Sequence, residues 1–304
     1  MSFIVSRSGV KTDWGMDLPF NNHVAIRFQV NTGLEGAEHA FDLTENTHLW
    51  LLFHAASLLE NESQAGQHIH HLIQPWNGVL DDDFHDALLS ALWDADKRAP
   101  YNDPAFDLIP TWKSHFYDPD TRTNWVGQPS PTALSQGCRY YHHSLQAYQA
   151  GDWQKAGYAL GLALHYLTDL TQPMHAANFT WFDSQGFGYH TDFERYAKRI
   201  LPQIEPPSVY KPLLSVTTPE AYFHAAARHS KDHYYALIVK PEWTQQYDEA
   251  AQADEVWEVR VGAIVPAILH DAVQITAQFL LMWFTDASTD TLWREVVLPP
   301  TLAR

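Results

Sequence analysis

The sequence predicts an all-α fold: a single multi-helix domain preceded by an irregular N-terminal extension. Three observations carry this reading. From Thr44 onward the apolar residues recur at helical rather than alternating spacing. Capping residues and prolines fall where such runs begin and end. An alternating, strand-like pattern stands out only in Val24–Val30, within the first forty residues. A chain of 304 residues with 45% hydrophobic content can bury one large core.

Residues 1–40 read as the extension, with a small β element over Val24–Val30 punctuated by Asn21-Asn22 and Gly33. Helices begin at Thr44 or Asn46, either of which can cap, and His48, Leu52, Ala55 and Leu59 fall on one face. A second helix covers Asp81–Trp93, its three leading aspartates suiting the positive end of a helix dipole. A long loop runs from Pro100 to Pro131, a length that in compact domains often serves function. Helices resume over Thr132–Gln149 and Trp153–Asp169, and Pro173 breaks the continuation of the second. Further helices are expected near Tyr189–Ile200, from Pro219 to about Ile238, and over about Asp254–Phe284 with a bend at Pro266. The domain therefore spans 41–284, and 285–304 form a polar tail.

Composition narrows the chemistry. Asp and Glu total 36 against 19 Lys and Arg, a net charge of -17 that disfavours a general nucleic-acid binder. A phosphate substrate stays open, because bound cations can reverse the local sign. Histidine, at 18 residues, is abundant and is the commonest metal ligand. The single cysteine, Cys138, allows no internal disulfide. Ser2–Val10 lacks the apolar stretch of a classical signal peptide. The longest apolar runs, Val261–Leu269 and Ile275–Phe284, are each too short to span a bilayer.

The densest chemistry lies in His165-Tyr-Leu-Thr-Asp169-Leu-Thr-Gln-Pro173-Met-His175-Ala-Ala-Asn178. His165 and Asp169, four residues apart on a helix, place both side chains on one face where they can share a metal. His190 and Glu194 repeat the spacing, and imidazole with carboxylate is an ordinary zinc ligand set. His175, in the turn between the pairs, can join either. One such pair would most simply be surface decoration; two pairs and a turn histidine within thirty residues point to metal. Weaker candidates are His115, in a loop rich in carboxylates and rings, and His48, a lone histidine on an apolar face that is usually a satisfied core residue. Asp94 and Asp96, at a helix C-terminus, oppose the macrodipole unless solvent or a cation offsets them.

These residues resemble the bacterial zinc-dependent phospholipase C family. The resemblance rests on His165 and Asp169, Gln172-Pro173-Met174-His175, Ala177-Asn178, and His190 with Glu194. The loop Ser114–Asp120, Asp96 before Pro100-Tyr101, and Asn46-Thr47-His48-Leu49-Trp50 extend it in matching order over about 42–284. The resemblance implies three zinc ions. His115, His165 and Asp169 would hold one with Asp96 beside it; His175, His190 and Glu194 a second; His48 and Asp169 the third. The family completes that third site with the main chain of an N-terminal Trp. Here Trp14 is internal, and His23, His39, Asp42 and Glu45 are possible substitutes.

The resemblance also implies the function: a secreted or exported zinc-dependent phospholipase C that releases diacylglycerol and a phosphorylated head group at a membrane or micelle surface. Asp96 would act as general base toward water, which zinc acidifies. Trp112 falls where the family has a ring for the head group, and Lys97 where it has another; a Lys there repels choline and leaves ethanolamine or a broader preference. No C-terminal lipid-binding domain fits after Phe284, so membrane contact is expected from loops of the catalytic domain or from residues 1–40. The rivals are a zinc-dependent single-strand nuclease, which would want a base-stacking pocket, and a helical metal-binding protein without catalysis.

Overall fold

The computed structural model describes residues 10–11, 17–18, 46–73, 83–96, 112–180, 189–238 and 254–288. The strand expected at Val24–Val30, most of the extension, the tail after Ser288, and Lys97 lie outside these residues. Ten helices follow in order among the described residues: α1 Thr47–Glu60, α2 Gln64–Ile73, α3 Asp83–Asp94, α4 Ala133–Gln149, α5 Trp153–Thr171, α6 Pro173–Ala176, α7 Tyr189–Ile200, α8 Pro219–Ile238, α9 Asp254–Val261 and α10 Val265–Ala287. Short 3-10 turns occupy Lys113–His115 and Leu201–Gln203. The described β structure is a two-residue antiparallel ladder, Val10 with Leu18 and Lys11 with Asp17, and an isolated antiparallel bridge between Asp118 and Thr123.

Helix α5 is the axis of the bundle. Every residue from Ala156 to Thr171 is buried, so it touches neighbours on all sides. Its glycines explain how closely those neighbours come. A methyl group on Gly157 would sit 2.1 Å from the Phe84 carbonyl oxygen, and one on Gly161 2.3 Å from that of Leu88. The α3 backbone thus lies directly against α5, which only a residue without Cβ allows. On the other side α4 and α5 form a hairpin through Gly151, whose φ of 75° suits the left-handed turn after a helix. Asp152 then caps α5 by accepting from the Lys155 amide.

Helix α1 starts where expected, Asn46 capping it by accepting from the His48 amide at 2.7 Å. It is buried on more sides than the single predicted face: Leu49, Trp50, Leu51, Phe53, Ala56 and Leu58 join Leu52, Ala55 and Leu59. Helix α2 was not expected from the sequence. Its buried stripe is short, with Ala65, Ile69 and Ile73 at i, i+4 and i+8, and His68, His70 and His71 dilute the apolar signal. Thr132 caps α4 in a reciprocal capping box with Ser135.

The C-terminal helical stretch differs from the expectation of one bent helix. It is two helices, because Pro266 lacks an amide hydrogen and its ring excludes the carbonyl one turn back. The ladder therefore stops at Val261 and restarts with Pro266 in the first turn of α10. The two apolar runs read separately in the sequence fall largely within α10. Its 23 residues include an 18-residue stretch of mean hydropathy 1.3, long and apolar enough to cross a membrane, but 67% of that stretch is buried inside the protein, as in a core helix. Trp283 and Phe279 anchor it; the Trp283 indole donates to Ser144 Oγ at 3.1 Å.

Candidate metal centre

One cleft of about 770 Å³ opens at the ends of these helices. Its floor is polar and its side is apolar, formed in part by Val265, Ile268, Leu269 and Ala272 of α10. Six elements deliver the polar floor and the fully buried His165 behind it. The start of α1 brings His48, the turn after α3 brings Asp96, and the 3-10 turn brings His115. The last turn and a half of α5 brings His165 and Asp169. Helix α6 brings His175, and α7 brings His190 and Glu194.

Asp169 sits at the centre, 5% exposed. Its Oδ2 lies 2.8 Å from His115 Nδ1 and 3.4 Å from His165 Nε2. Its Oδ1 lies 3.9 Å from His48 Nε2. His165 Nε2 and His115 Nδ1 are 3.2 Å apart, and Asp96 Oδ1 is 3.5 Å from the first and 3.9 Å from the second. At the other end of the floor, Glu194 Oε1 lies 2.9 Å from His190 Nε2 and 3.2 Å from His175 Nε2. His175, left between the two pairs by the sequence, is thus directed to Glu194.

Three groups of potential ligand atoms result: His48, His165 and Asp169; Asp96, His115 and His165; and His175, His190 and Glu194, each within 4.8 Å of one another. Zinc with bonds of 2.0–2.1 Å in tetrahedral geometry holds its ligand atoms about 3.3–3.5 Å apart. Most of the separations above lie near that span. The outer hydrogen bonds fit as well. His165 Nδ1 is 3.0 Å from the Leu92 carbonyl oxygen and His175 Nδ1 is 2.8 Å from that of His115, so each Nδ1–H donates to main chain and leaves Nε2 with a lone pair facing the cluster. His48 Nδ1 is 2.6 Å from Thr168 Oγ1. The Thr168 hydroxyl proton is committed to the carbonyls of Leu164 and His165, so the imidazole must donate and its Nε2 again faces inward. The donor set and its supports fit zinc.

Electrostatics follow from burial and pairing. Burial opposes ionisation of Asp169, yet the imidazoles of His165, His115 and His175 hold its carboxyl well below the usual range. Glu194 is likewise held far down against burial by His190 and His175. Burial works against a proton on His165, but Asp169 and Asp96 outweigh it and raise its pKa to about 9. His175 is raised to about 9 against burial by Asp169 and Glu194. Burial and then the neighbouring His165 push His48 down to about 4, which keeps its ring neutral and able to ligate. The carboxylates concentrate negative charge where the floor would receive cations.

Asp94 and Asp96, left open at the helix end, separate cleanly. Asp94 accepts from the Tyr158 hydroxyl at 3.0 Å, whereas Asp96 turns to the histidines and keeps its side chain 58% exposed at the rim. Burial opposes its charge, and His165 with His115 keeps the carboxyl below its ordinary value. Trp112 lines the same rim. Its φ of 46° puts a non-glycine residue in the left-handed region, a conformation held by its surroundings, and its indole nitrogen donates to the Asp96 carbonyl at 3.4 Å. The substitutes considered for the third site, His23, His39, Asp42 and Glu45, lie outside the described residues.

Two further residues shape the site beyond those singled out in the sequence. Thr168 orients His48, as above. Gln172 caps α6 through the Met174 amide, and its own amide lies 3.0 Å from His190 Nε2 and 3.2 Å from Glu194 Oε1. Nothing in sequence spacing links Thr168 to His48, 120 residues away. The motif containing Gln172 was visible, but its side-chain partners were not.

Comparison with known proteins points to one family. A family model described as zinc dependent phospholipase C matches residues 47–253. A phospholipase C of Bacillus cereus is 31% identical over 245 residues, 79% of this chain and 81% of that protein. A phospholipase C of Listeria monocytogenes is 31% identical over 249 residues, covering 81% and 80%. The structure of the Clostridium absonum alpha toxin superposes with a TM-score of 0.55 at 20% identity, over 81% of this chain. The chain spans 65% of that toxin's length, and the likeness there concerns the fold alone. The single-strand nuclease reading is not favoured by these relatives. The chain belongs to the zinc-dependent phospholipase C family.

Proposed function

We propose that the protein hydrolyses the glycerol-side phosphodiester of phospholipids, with three zinc ions on the cleft floor and Asp96 as the general base. The observation that carries this reading is the convergence of three ligand groups on the floor of one cleft whose side wall is apolar. His115 and His165 with Asp96 and Asp169, His175 and His190 with Glu194, and His48 with Asp169 would hold the ions. Zinc bound there supplies Lewis acidity toward a phosphoryl oxygen and acidifies water.

The chain's own groups do the rest. Asp96 is ionised and solvent-accessible at the rim, so it can orient a water for in-line attack on phosphorus and take its proton. The bond from phosphorus to the glycerol oxygen breaks, and the leaving oxygen recovers a proton to give diacylglycerol. The side wall of Val265, Ile268, Leu269 and Ala272 gives the glycerol and upper acyl carbons an apolar surface to lie on. Trp112 offers a ring beside Asp96 for the head group, and Lys97, adjacent in sequence, disfavours choline there. Action outside the producing cell belongs to the same proposal, as does a division into an extension over 1–40, a catalytic domain over 41–284 and a tail over 285–304.

Purified protein analysed for metal and assayed on phosphatidylcholine, phosphatidylethanolamine and single-stranded DNA, before and after chelation, tests the proposal. Close to three zinc ions per chain with chelator-sensitive diacylglycerol release is the expected result. Zinc with cleavage of DNA alone refutes the lipid reading, and a protein that binds no zinc refutes both.

A further inference from the structure

A second kind of polar cluster joins two helices away from the cleft. His229 and His233 are four residues apart on α8, so their rings leave one face a single turn apart. Asp271 reaches them from α10. Its Oδ2 lies 2.8 Å from His229 Nε2 and 3.2 Å from His233 Nε2, and one ligand atom from each residue lies within 4.8 Å of the other two. None of the three lines the cleft.

We propose that His229, His233 and Asp271 form a separate zinc site, with the two Nε2 atoms and a carboxylate oxygen as protein ligands and solvent completing the coordination. The donor set selects the ion class. Two imidazoles with one carboxylate suit zinc and similar borderline divalent ions, and not calcium or magnesium, which want mostly oxygen. The two carboxylate–imidazole distances need about 0.1–0.7 Å of opening to reach the roughly 3.3–3.5 Å between ligands of a tetrahedral ion, and all three atoms already lie within 4.8 Å of one another. The side chains are 33%, 28% and 31% exposed, which leaves an entry path and room for water. Burial opposes the charge on Asp271, but the two imidazoles hold its carboxyl below the ordinary value, so the anionic ligand is in place at neutral pH.

The position gives the ion a structural consequence. Helix α8 holds the loop that follows His115: Lys231 Nζ lies 2.6 Å from Asp118 Oδ2, and Tyr117 pairs with His224 at 2.9 Å. Helix α10 supplies the apolar wall of the cleft. An ion between His229, His233 and Asp271 ties the support of the metal-binding loop to the wall facing substrate. The inference stands on α8 and α10 alone and does not depend on the phospholipase reading.

The test counts metal by difference. Full-length wild type and H229Q/H233Q are equilibrated against buffered zinc, and elemental analysis compares them. One equivalent fewer in the variant, with diacylglycerol release retained and a smaller zinc-induced rise in Tm, is the expected result. Equal zinc content across the whole buffered range overturns the site and leaves the trio as a hydrogen-bonded brace. The subtraction holds whatever number of ions the cleft takes, so it fails separately from the proposed function. Should the double variant misfold, wild type with its cleft already loaded with zinc is titrated with cobalt. A further equivalent with the strong visible absorption of four-coordinate cobalt supports the site, and its absence overturns it.

Discussion

Thr168 offers a sharp test of how the floor is held, because it supports the proposed ligand His48 without being a ligand itself. It is 4% exposed and accepts from His48 Nδ1 at 2.6 Å, while its own proton goes to main-chain carbonyls. Thr168→Val keeps the shape and removes the acceptor. His48 then either buries an unpaired Nδ1–H, costing about 1–3 kcal/mol, or moves the proton to Nε2 and loses the lone pair that faces Asp169. At 1.4 kcal/mol per factor of ten, zinc affinity at the His48 position falls about 10- to 100-fold, the usual span for groups that orient a metal ligand. Competition against a chelator series reads this directly: one ion should be lost at lower chelator strength than in wild type while the others stay. Thr168→Ser, which restores the acceptor, should recover most of the affinity. A valine variant with the wild-type chelator profile would show that His48 needs no such support and refute the reasoning.

Other perturbations probe separate parts of the molecule. Asp96→Asn should keep most of the zinc yet lower turnover about a hundredfold or more, and wild-type turnover would remove Asp96 from the mechanism. Gly161→Ala forces a methyl to within 2.3 Å of the Leu88 carbonyl oxygen and 2.7 Å of Ala91 Cβ, so α3 and α5 must part. A loss of about 1–3 kcal/mol is expected, seen as a lower Tm in thermal melts, and an unchanged Tm would show that the interface can yield. Lys231→Met strips the cation from Asp118, whose side chain is 12% exposed. A loss of about 2–3 kcal/mol in denaturant unfolding is expected, and less than 0.5 kcal/mol would show that backbone amides alone suffice for that carboxylate.

Much of the candidate site is legible in the sequence. The pairs His165 with Asp169 and His190 with Glu194 follow from helical periodicity alone, since i and i+4 side chains must share a face. Helices with clear punctuation were equally readable: Tyr189–Ile200 and Pro219–Ile238 begin and end where the sequence places them. Short α2 was hidden because three histidines dilute a stripe of small and β-branched residues. The break before Pro266 was visible as a bend, but whether a proline kinks a helix or opens a new one depends on how the segments pack.

The sequence by itself determined which residue types could ligate zinc, and the local frame of each pair, because those depend on spacing within one helix. Residue spacing left open which pair His175 joins and whether Asp94 or Asp96 faces the histidines; the family resemblance assigned both, and the tertiary contacts put His175 beside Glu194, Asp96 beside His165, Thr168 beside His48 and Gln172 beside His190. Tertiary structure also decided that His229 and His233 meet Asp271. Each of these is a contact between separate elements, fixed by how closely α5 can approach α3 and by how α8 and α10 pack against α5. No periodicity encodes such meetings, because they arise only when the core closes.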